Sequence, residues 1–187
     1  MWRLATDELA NKTKNKRYKM SKIHLKNVRL SFPHLFTKNT KFNPDGSYEA
    51  TFLISKKDEF TKKLLDSAIA AAVADAKIKM PKEDRVCLKD GDLVEYDGYA
   101  EHWSLKTKSN KRPTVIDRDR TPLVEEDGKP YAGCYVNAIV DIWVHDNPKW
   151  GQRVLCNLYG VQFLKDGEPF GAGDVDVTEE FDDLDDI

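Results

Sequence analysis

The sequence predicts a mainly β protein, a small closed barrel with one or two helices packed on it. Two long apolar-alternating runs lie within residues 131–166, and the loop 147–151 between them has the Asn, Pro and Gly content of a β-hairpin turn. Residues 23–32 and 47–55 also alternate between apolar and polar side chains, as strands with one buried face do. Residues 60–76 instead carry apolar side chains at helical spacing.

The first strand of the hairpin has one face that is apolar throughout and one that is mixed. The apolar face consists of Cys134, Val136, Ala138, Val140, Ile142 and Val144. The mixed face consists of Tyr135, Asn137, Ile139, Asp141, Trp143 and His145. The apolar face predicts contact with the core, because side chains alternate along a strand. The mixed face has two interpretations: a second, partly buried face of a curved sheet, or a platform on which flat ligands stack.

The strand at residues 23–32 is predicted to contain a β-bulge. Its apolar positions change phase near Lys26 and Asn27, which indicates one extra residue in the strand. The next strand, 47–55, alternates without interruption. Curved strands with bulges favour a small closed barrel over a flat sheet.

A helix is predicted over residues 58–79. Ser55 or Asp58 can cap its first turn, and Pro81 ends it. Its apolar stripe indicates a packing element rather than a functional one. Further strands are predicted at residues 85–88, 93–105 and 114–116.

Composition and length indicate one soluble globular domain. The chain has 187 residues, of which 40% are apolar and 33% charged. No apolar run approaches the ~18 residues that span a bilayer, so no membrane segment is expected. Cys87, Cys134 and Cys156 lack the spacing of a zinc site, and we interpret them as reduced thiols of a cytosolic protein. Residues 1–19 are polar and basic, lack the apolar core of a secretory signal, and are expected to form a flexible extension.

The net charge of −2 conceals an asymmetry between the body of the chain and its C-terminus. Residues 174–187 contain eight acidic residues and no basic one, so the rest of the chain carries a net charge of +6. A positive body with a negative tail is typical of a polyanion-binding protein whose tail masks the site or recruits partners. The alternative is a solvated tail that only aids solubility.

The sequence contains no motif that predicts catalysis. Phosphate-binding-loop, serine-hydrolase and zinc-protease motifs are absent. Two acidic pairs occur, Asp90 with Asp92 and Asp117 with Asp119. Either pair could hold Mg²⁺ as in a nuclease, but basic neighbours favour salt-bridged or solvated carboxylates. We therefore predict a binding protein that is not an enzyme and requires no metal or cofactor.

A basic segment after Trp103 predicts nucleic-acid binding. Six cations lie within 15 residues: Lys106, Lys108, Lys111, Arg112, Arg118 and Arg120. Single-stranded nucleic acid needs such cations for its phosphates and flat rings for its unstacked bases. The segment is predicted to be a loop up to residue 113, and a merely solvated basic loop is the alternative. The rings predicted to stack bases are Trp103, Tyr135, Trp143 and Trp150.

Four segments give the chain a resemblance to a known family. They are VRLSFPHLF at 28–36, GCYVNAIVDIW at 133–143, GVQFLKDGEPFG at 160–171 and DDLDDI at 182–187. Together they resemble the single-stranded-DNA-binding proteins of tailed bacteriophages, over the range from Met20 to the C-terminus. The resemblance implies an OB-type barrel, binding without strong sequence preference, and a role in phage DNA replication, recombination and repair. It also implies that the C-terminal tail contacts replication partners.

These observations predict three segments: a flexible extension at 1–19, an OB-like single-stranded-DNA-binding domain at 20–173, and a disordered acidic tail at 174–187. The residues predicted to bind partner proteins are Asp182, Asp183, Leu184, Asp185, Asp186 and Ile187. The protein is expected in the cytoplasm of the infected host, and the sequence leaves open whether it forms a homo-oligomer. Two other functions remain open: a Mg²⁺-dependent nuclease or resolvase, and a phage protein-recruiting module that acts through the tail.

Overall fold

The structure, a computed structural model, describes residues 22–171. The strands are β1 Ile23–Asn39, β2 Ser47–Ser55, β3 Leu88–Asp90, β4 His102–Ser109, β5 Thr114–Ile116, β6 Tyr135–Asn147 and β7 Gly151–Lys165. The helix α1 spans Glu59–Asp75, and short 3₁₀ turns lie at Glu83–Arg85, Gly91–Leu93 and Glu125–Asp127. The sequence predicted β2 with these bounds and also placed β5 and the β6–β7 hairpin.

Five strands close into a barrel. Neighbouring strands pair in the order β4–β2–β1–β6–β7, and β4 then pairs with β7 in parallel, with Lys108 opposite Asn157. The gap between β4 and β7 is bridged by Cys87, whose N–H donates to the Val154 carbonyl while its own carbonyl accepts from the N–H of Lys106, each at 3.0 Å. The strands β3 and β5 extend the sheet outside this ring. The predicted fold, a mainly β, OB-like barrel with a helix, is therefore confirmed, while the predicted tail at 174–187 lies outside the described residues.

The core fills the inside of the barrel. The apolar face predicted for β6 is buried from Cys134 to Ile142, and Val144 packs against its edge. Opposite positions on β2 and β4, Phe52 and Leu105, are 0% exposed, so both strands contribute one face to the same core. The three cysteines are free thiols, all buried. Burial raises the pKa of the Cys134 thiol to about 11, so this thiol stays protonated at neutral pH.

Two bulges curve β1 around the barrel. The register with β6 shifts between Leu25 and Val28, where Asn27 has a φ of 52°, and this confirms the bulge predicted there. A second shift lies between Ser31 and His34, where Phe32 has a φ of 46°. The strand continues to Asn39 instead of ending at the predicted residue 32, because a bulge lets a strand accommodate the proline that follows Phe32.

The helix α1 packs on β6 and β7. Asp58 caps its N-terminus, since its carboxylate accepts the N–H of Thr61 at 3.0 Å. Leu65, Ile69 and Val73 form the buried stripe. The helix ends at Asp75, earlier than predicted, and none of the helices of the described residues is long and apolar enough to cross a membrane.

The strand predicted at 93–105 is wrong over its first half. Residues 94–101 form turns, and β4 begins only at His102. The backbone is held in this turn because the Asp92 carboxylate accepts the N–H of Glu101 at 2.6 Å, and Glu101 has a φ of 59°. Gly91 allows the close approach, since a Cβ there would lie 2.4 Å from the Tyr99 carbonyl. The short strand predicted at 85–88 is likewise displaced to Leu88–Asp90, with only an isolated bridge at Val86.

Truncation of Leu105 to alanine is expected to destabilise the barrel by about 2–5 kcal/mol, because it opens a cavity where β2, β3 and β4 meet. The matched control is Leu93→Ala, the same truncation at a side chain that is 76% exposed, which should change stability by no more than about 0.5 kcal/mol. Urea unfolding of both variants measures the difference. Equal effects would contradict the assignment of Leu105 to the core.

Candidate nucleic-acid interface

Two of the predicted cations, Lys106 and Lys108, lie on the outer face of the barrel. They alternate along β4 with the buried Leu105 and Thr107, so strand geometry turns both lysines to solvent. Their partners across β2 are Thr51 and Glu49, and the Lys108 ammonium lies 3.3 Å from the Glu49 carboxylate. These four positions, Glu49, Thr51, Lys106 and Lys108, are called the β2–β4 face. The sequence prediction of a loop from residue 106 is therefore wrong for its first four residues, which belong to a strand.

Two further cations of the basic segment, Lys111 and Arg112, lie in the loop at the end of this face. Lys111 is exposed in the loop after β4, where its N–H donates to the Ser109 hydroxyl at 3.1 Å. The Arg112 guanidinium lies 5.5 Å from the centre of the Phe36 ring, which ties this loop to β1. The β1–β2 loop at 40–46 borders the same surface, because Tyr48, two residues after it, pairs with Ser109 at the end of β4.

The β1–β2 loop adds a residue that the sequence analysis missed. Phe42 is 86% exposed, and the Lys41 ammonium lies 5.4 Å from its ring centre. The same combination of an exposed ring beside a lysine occurs at Lys149 and Trp150. The adjacent Lys41–Phe42 pair in a turn was the available signal, but a single apolar residue in a loop is not distinctive by pattern alone.

The tip of the β6–β7 hairpin presents Trp150. The side-chain oxygen of Asn147 accepts the N–H groups of Lys149 and Trp150 at 2.8 and 3.0 Å, which fixes the turn. The indole is 60% exposed, and the Lys149 ammonium lies 4.8 Å from it. A cavity of about 630 Å³ separates the tip from residues 79–85, and Arg85 donates to the Trp150 carbonyl.

Trp103 lies on the other side of β4 from the lysines. It shares the inward register of Leu105, is partly buried, and packs against the core. The ammonium groups of Lys56 and Lys62 lie 4.8 and 4.5 Å from its ring centre. The geometry favours packing over base stacking for this ring, and its predicted role in DNA binding stays a prediction.

Trp143 and Tyr135 both lie on the outer face of β6, but in different surroundings. The Trp143 indole N–H donates to the Asn157 side-chain oxygen at 3.2 Å, and Asn157 is the residue that pairs with Lys108. Trp143 is therefore close to the β2–β4 face. Tyr135 lies further along the strand, 5.6 Å from the Arg29 guanidinium and 4.8 Å from the Lys165 ammonium.

Arg118 and Arg120 lie in the turn after β5, away from the other predicted cations. Both are exposed, and the Gln162 amide donates to the Arg118 carbonyl at 3.3 Å. The Lys129 ammonium, 2.7 Å from the Asp117 carboxylate, holds the pKa of that carboxyl below its usual value. This geometry supports the salt-bridged interpretation of the acidic pairs.

The other acidic pair has a cation between its members. The Lys56 ammonium lies 2.6 Å from Asp90 and 2.5 Å from Asp92, and it lowers the pKa of both carboxyls. Among residues 22–171, no group of three or more His, Cys, Asp or Glu side chains is arranged to hold a metal ion.

An aromatic cluster on the outside of β1 was also missed by the sequence analysis. The rings of Phe32 and Tyr96 are about half exposed and meet edge to face at 5.2 Å, and Tyr99 lies 5.2 Å from Tyr96. Burial raises the pKa of the Tyr99 hydroxyl, which hydrogen-bonds to Ser31 and Thr51. The positive φ of Phe32 turns its ring outward, a conformation that bulky residues adopt rarely and that often marks functional surfaces.

Arg29 fixes the last described residues against this side of the barrel. Its guanidinium donates to the carbonyls of Gly133 and Glu168 at 2.9 and 2.8 Å and lies 4.4 Å from the Phe170 ring. The Phe170 N–H donates to the Ala132 carbonyl at 3.0 Å. The chain therefore leaves the barrel beside the aromatic cluster.

Two sequence comparisons relate this chain to phage proteins. The family model of the Enterobacter phage Enc34 single-stranded-DNA-binding protein matches residues 21–187. Protein p50 of Acyrthosiphon pisum secondary endosymbiont phage 1 is 42% identical over 178 residues, which cover 87% of this chain and 94% of p50.

Two solved structures of the bacteriophage Enc34 single-stranded-DNA-binding protein are similar to this barrel. The first is 31% identical, covers 86% of this chain and 90% of its own, and gives a TM-score of 0.72. The second, a complex with single-stranded DNA, is 29% identical, covers 80% and 89% of the two chains, and gives a TM-score of 0.73.

Replacement of Arg29 by alanine is expected to release residues 166–171 without unfolding the barrel. Loss of two charge-assisted hydrogen bonds should raise the hydrogen-exchange rate of the Phe170 amide by about tenfold or more. The Val136 amide within the barrel serves as the internal reference, and Arg153→Ala, an exposed arginine on β7, is the matched control. Unchanged exchange at Phe170 would show that Arg29 does not hold this segment.

Proposed function

Because the chain belongs to the family of the Enterobacter phage Enc34 single-stranded-DNA-binding protein, we propose that it binds single-stranded DNA without strong sequence preference. The observation that carries the proposal is the β2–β4 face, where rigid strand lysines are flanked by exposed aromatic loops. In OB-type barrels the face of the second and third barrel strands, with the two loops beside it, binds oligonucleotides. Here those strands are β2 and β4, and the loops carry Phe42 and Trp150.

The proposed interface combines positive charges, which bind phosphates, with aromatic rings, which stack on bases. Lys106 and Lys108 neutralise phosphates in the centre, and Lys111 and Arg112 extend the positive surface at one end. Trp143, Trp150 and Phe42 offer rings on which bases stack, at about 1–3 kcal/mol per base. Neither type of contact reads base edges, so binding tolerates any sequence. The remaining members of the predicted set, Arg118, Arg120, Tyr135 and Trp103, lie away from this surface.

We propose that the protein protects and organises single strands during phage DNA replication, recombination and repair in the cytoplasm of the infected host. Family membership supports this role, since a protein that covers single strands acts wherever a duplex has been opened. Residues 20–173 would form the binding domain, and residues 174–187 the acidic tail. The tail residues Asp182, Asp183, Leu184, Asp185, Asp186 and Ile187 would recruit replication or recombination proteins.

The same tail is proposed to mask the interface in the absence of DNA. The Gly171 N–H donates to the Asp97 carboxylate at 3.0 Å, so the chain leaves the barrel beside the aromatic cluster. The residues after Gly171 could extend ~50 Å at ~3.3 Å per residue, which is enough to reach the β2–β4 face. Eight carboxylates tethered at millimolar effective concentration would compete with phosphates for the same lysines.

Salt dependence tests the proposed function. If four to six phosphates are neutralised, the logarithm of the oligo(dT) association constant should fall against the logarithm of salt concentration with a slope of about −3 to −4. Raising salt fourfold would then weaken binding by about a hundredfold. The double variant Lys106→Ala/Lys108→Ala should reduce the slope by about 1.4, because two phosphate contacts are lost.

The matched control is Lys57→Ala/Lys63→Ala, which removes the same charge from exposed positions at and before α1. Its slope should equal that of the parent protein. A parent slope near zero would reject an electrostatic interface. Equal losses in the two double variants would reject the β2–β4 face as its location.

Deletion of residues 174–187 is expected to tighten oligo(dT) binding by about threefold to tenfold at low salt, because the competing carboxylates are removed. The gain should shrink as salt rises, since salt screens the tail as well as the DNA. Affinity measurements at two salt concentrations, with and without the tail, decide this. If the shortened protein binds no tighter at low salt, the tail does not mask the site.

The recruiting role of the tail is tested by pull-down of replication proteins. If the shortened protein still captures them, the recruiting role is rejected.

A further inference from the structure

A groove lies on the outer face of β6, the face that the sequence analysis identified as a possible ligand platform. Its volume is about 440 Å³, and β1, β5, β6 and β7 form its walls. Its lining includes Lys22, Lys26, Asn137, Ile139, Tyr159 and Gln162. This surface, called the β6 groove, is separate from the β2–β4 face and contains none of the residues predicted to bind DNA.

Two bulges shape the β6 groove. On β7, Ile139 pairs with Gly160 and Val140 pairs with Leu158, so Tyr159 is the extra residue. The side chain of such an extra residue does not follow the alternation of inward and outward side chains along the strand. Bulges commonly redirect side chains at functional surfaces. On β1, the bulged Asn27 donates its N–H to the Asn137 side-chain oxygen at 3.0 Å. The two backbone bulges therefore help to set the shape of the groove.

The charge of the groove suits a polyanion. Lys22 and Lys26 are exposed on the β1 wall, and none of the described lining residues is acidic. Two acidic residues that contact the lining side chains, Asp117 and Asp141, are ion-paired or buried. Asp117 is paired with Lys129 at 2.7 Å. Asp141 is 4% exposed beneath the Tyr159 hydroxyl, and burial raises the pKa of its carboxyl.

The floor of the groove suits a base. Ile139 and the partly exposed ring of Tyr159 provide apolar surface, and the Lys22 ammonium lies 5.1 Å from the centre of that ring. Asn137 and Gln162 are fixed by a hydrogen bond of 3.3 Å between their amides. The volume is within the range of sites for small organic ligands, of about 300–1,000 Å³, which includes a nucleotide.

The groove is connected to the proposed interface. Lys108 on β4 pairs with Asn157 on β7, Asn157 bonds to the Trp143 indole, and Tyr159 is two residues further along β7. Each of these side chains lies on the outside of the barrel. A strand that leaves the β2–β4 face over Trp143 would therefore enter the β6 groove.

We propose that the β6 groove binds a second stretch of the same single strand, so that the DNA passes around the barrel from the β2–β4 face. This proposal rests on the proposed function and extends it. An acidic peptide would be drawn to the same lysines, but it has no need for a flat apolar floor connected to an aromatic DNA path.

The test compares Lys22→Glu/Lys26→Glu with the matched charge control Lys57→Glu/Lys63→Glu. All four lysines are exposed, so both variants should fold. Binding is measured with dT oligonucleotides of about 6 and 25 nucleotides, and the length occluded per protein is measured on poly(dT), since OB folds cover about 4–16 nucleotides. The short strand covers only the β2–β4 face, whereas the long strand reaches both sites.

The groove variant is expected to bind the short strand as the control does, within about twofold, and to bind the long strand about tenfold or more weakly than the control. Its salt slope on the long strand should be smaller by about 1.4, for two lost phosphate contacts. Its occluded length should shorten. Equal long-strand affinity, slope and occluded length in both variants would overturn the proposal.

Two further outcomes are informative. If the groove variant binds DNA more tightly than the control, and deletion of 174–187 abolishes that gain, the groove holds the acidic tail, and the proposal is wrong. If the parent protein binds neither oligonucleotide, the proposed function fails first. That result differs from a failure of the groove alone, in which the short strand still binds.

Discussion

Closure of the barrel depends on β4, which pairs with β2 along one edge and with β7 and residues 87–90 along the other. A strand with neighbours on both edges cannot rotate about its axis, so alternate side chains are committed to opposite sides. Thr107 is 0% exposed, and its hydroxyl donates a hydrogen bond to the Ala50 carbonyl at 2.7 Å. Lys106 and Lys108 are consequently held outward by the same hydrogen bonds that close the fold.

This rigidity matters for binding. Lysines in a loop lose backbone and side-chain freedom when they bind phosphate, and that lost entropy reduces affinity. Lysines on a closed barrel have already lost the backbone part during folding. The loops beside the β2–β4 face add the exposed rings of Phe42 and Trp150. A rigid charged centre flanked by exposed rings suits a ligand whose backbone is uniform and whose bases vary.

The sequence predicted the elements whose pattern is local. Strand β2, the β6–β7 hairpin and the bulge at Asn27 could be predicted because side-chain alternation, and its interruption, is visible within about ten residues. The turn at residues 94–101 could not, because it depends on a hydrogen bond between Asp92 and Glu101 and on the backbone approach at Gly91. Those constraints are tertiary, and they override an apolar pattern that resembles a strand.

The residues of the candidate site could likewise be predicted only where their pattern is local. The basic segment was located by composition, but its division into strand and loop required the register between β2 and β4. A tryptophan directly before a basic segment is a natural candidate for base stacking. Only the inward register of Trp103 and the lysines near its ring distinguish it from Trp143. Phe32 and Tyr96 lie far apart in sequence, so no local pattern could bring their rings together.

The distribution of charge separates structural cations from those available to a ligand. Lys56 and Lys129 are each bound to carboxylates in the described structure, and they stabilise turns at Asp90, Asp92 and Asp117. Within residues 22–171, by contrast, Lys106 and Lys111 form no ion pair, and the Glu49 contact of Lys108 is a single one at 3.3 Å. The Lys108 side chain is 57% exposed and has further N–H donors, so it remains available to a phosphate. Net charge cannot reveal this difference, because a lysine that is already neutralised counts the same as one that is not. The positive surface proposed to bind DNA is therefore narrower than the composition indicates, and it coincides with the outer side of the strand that closes the barrel.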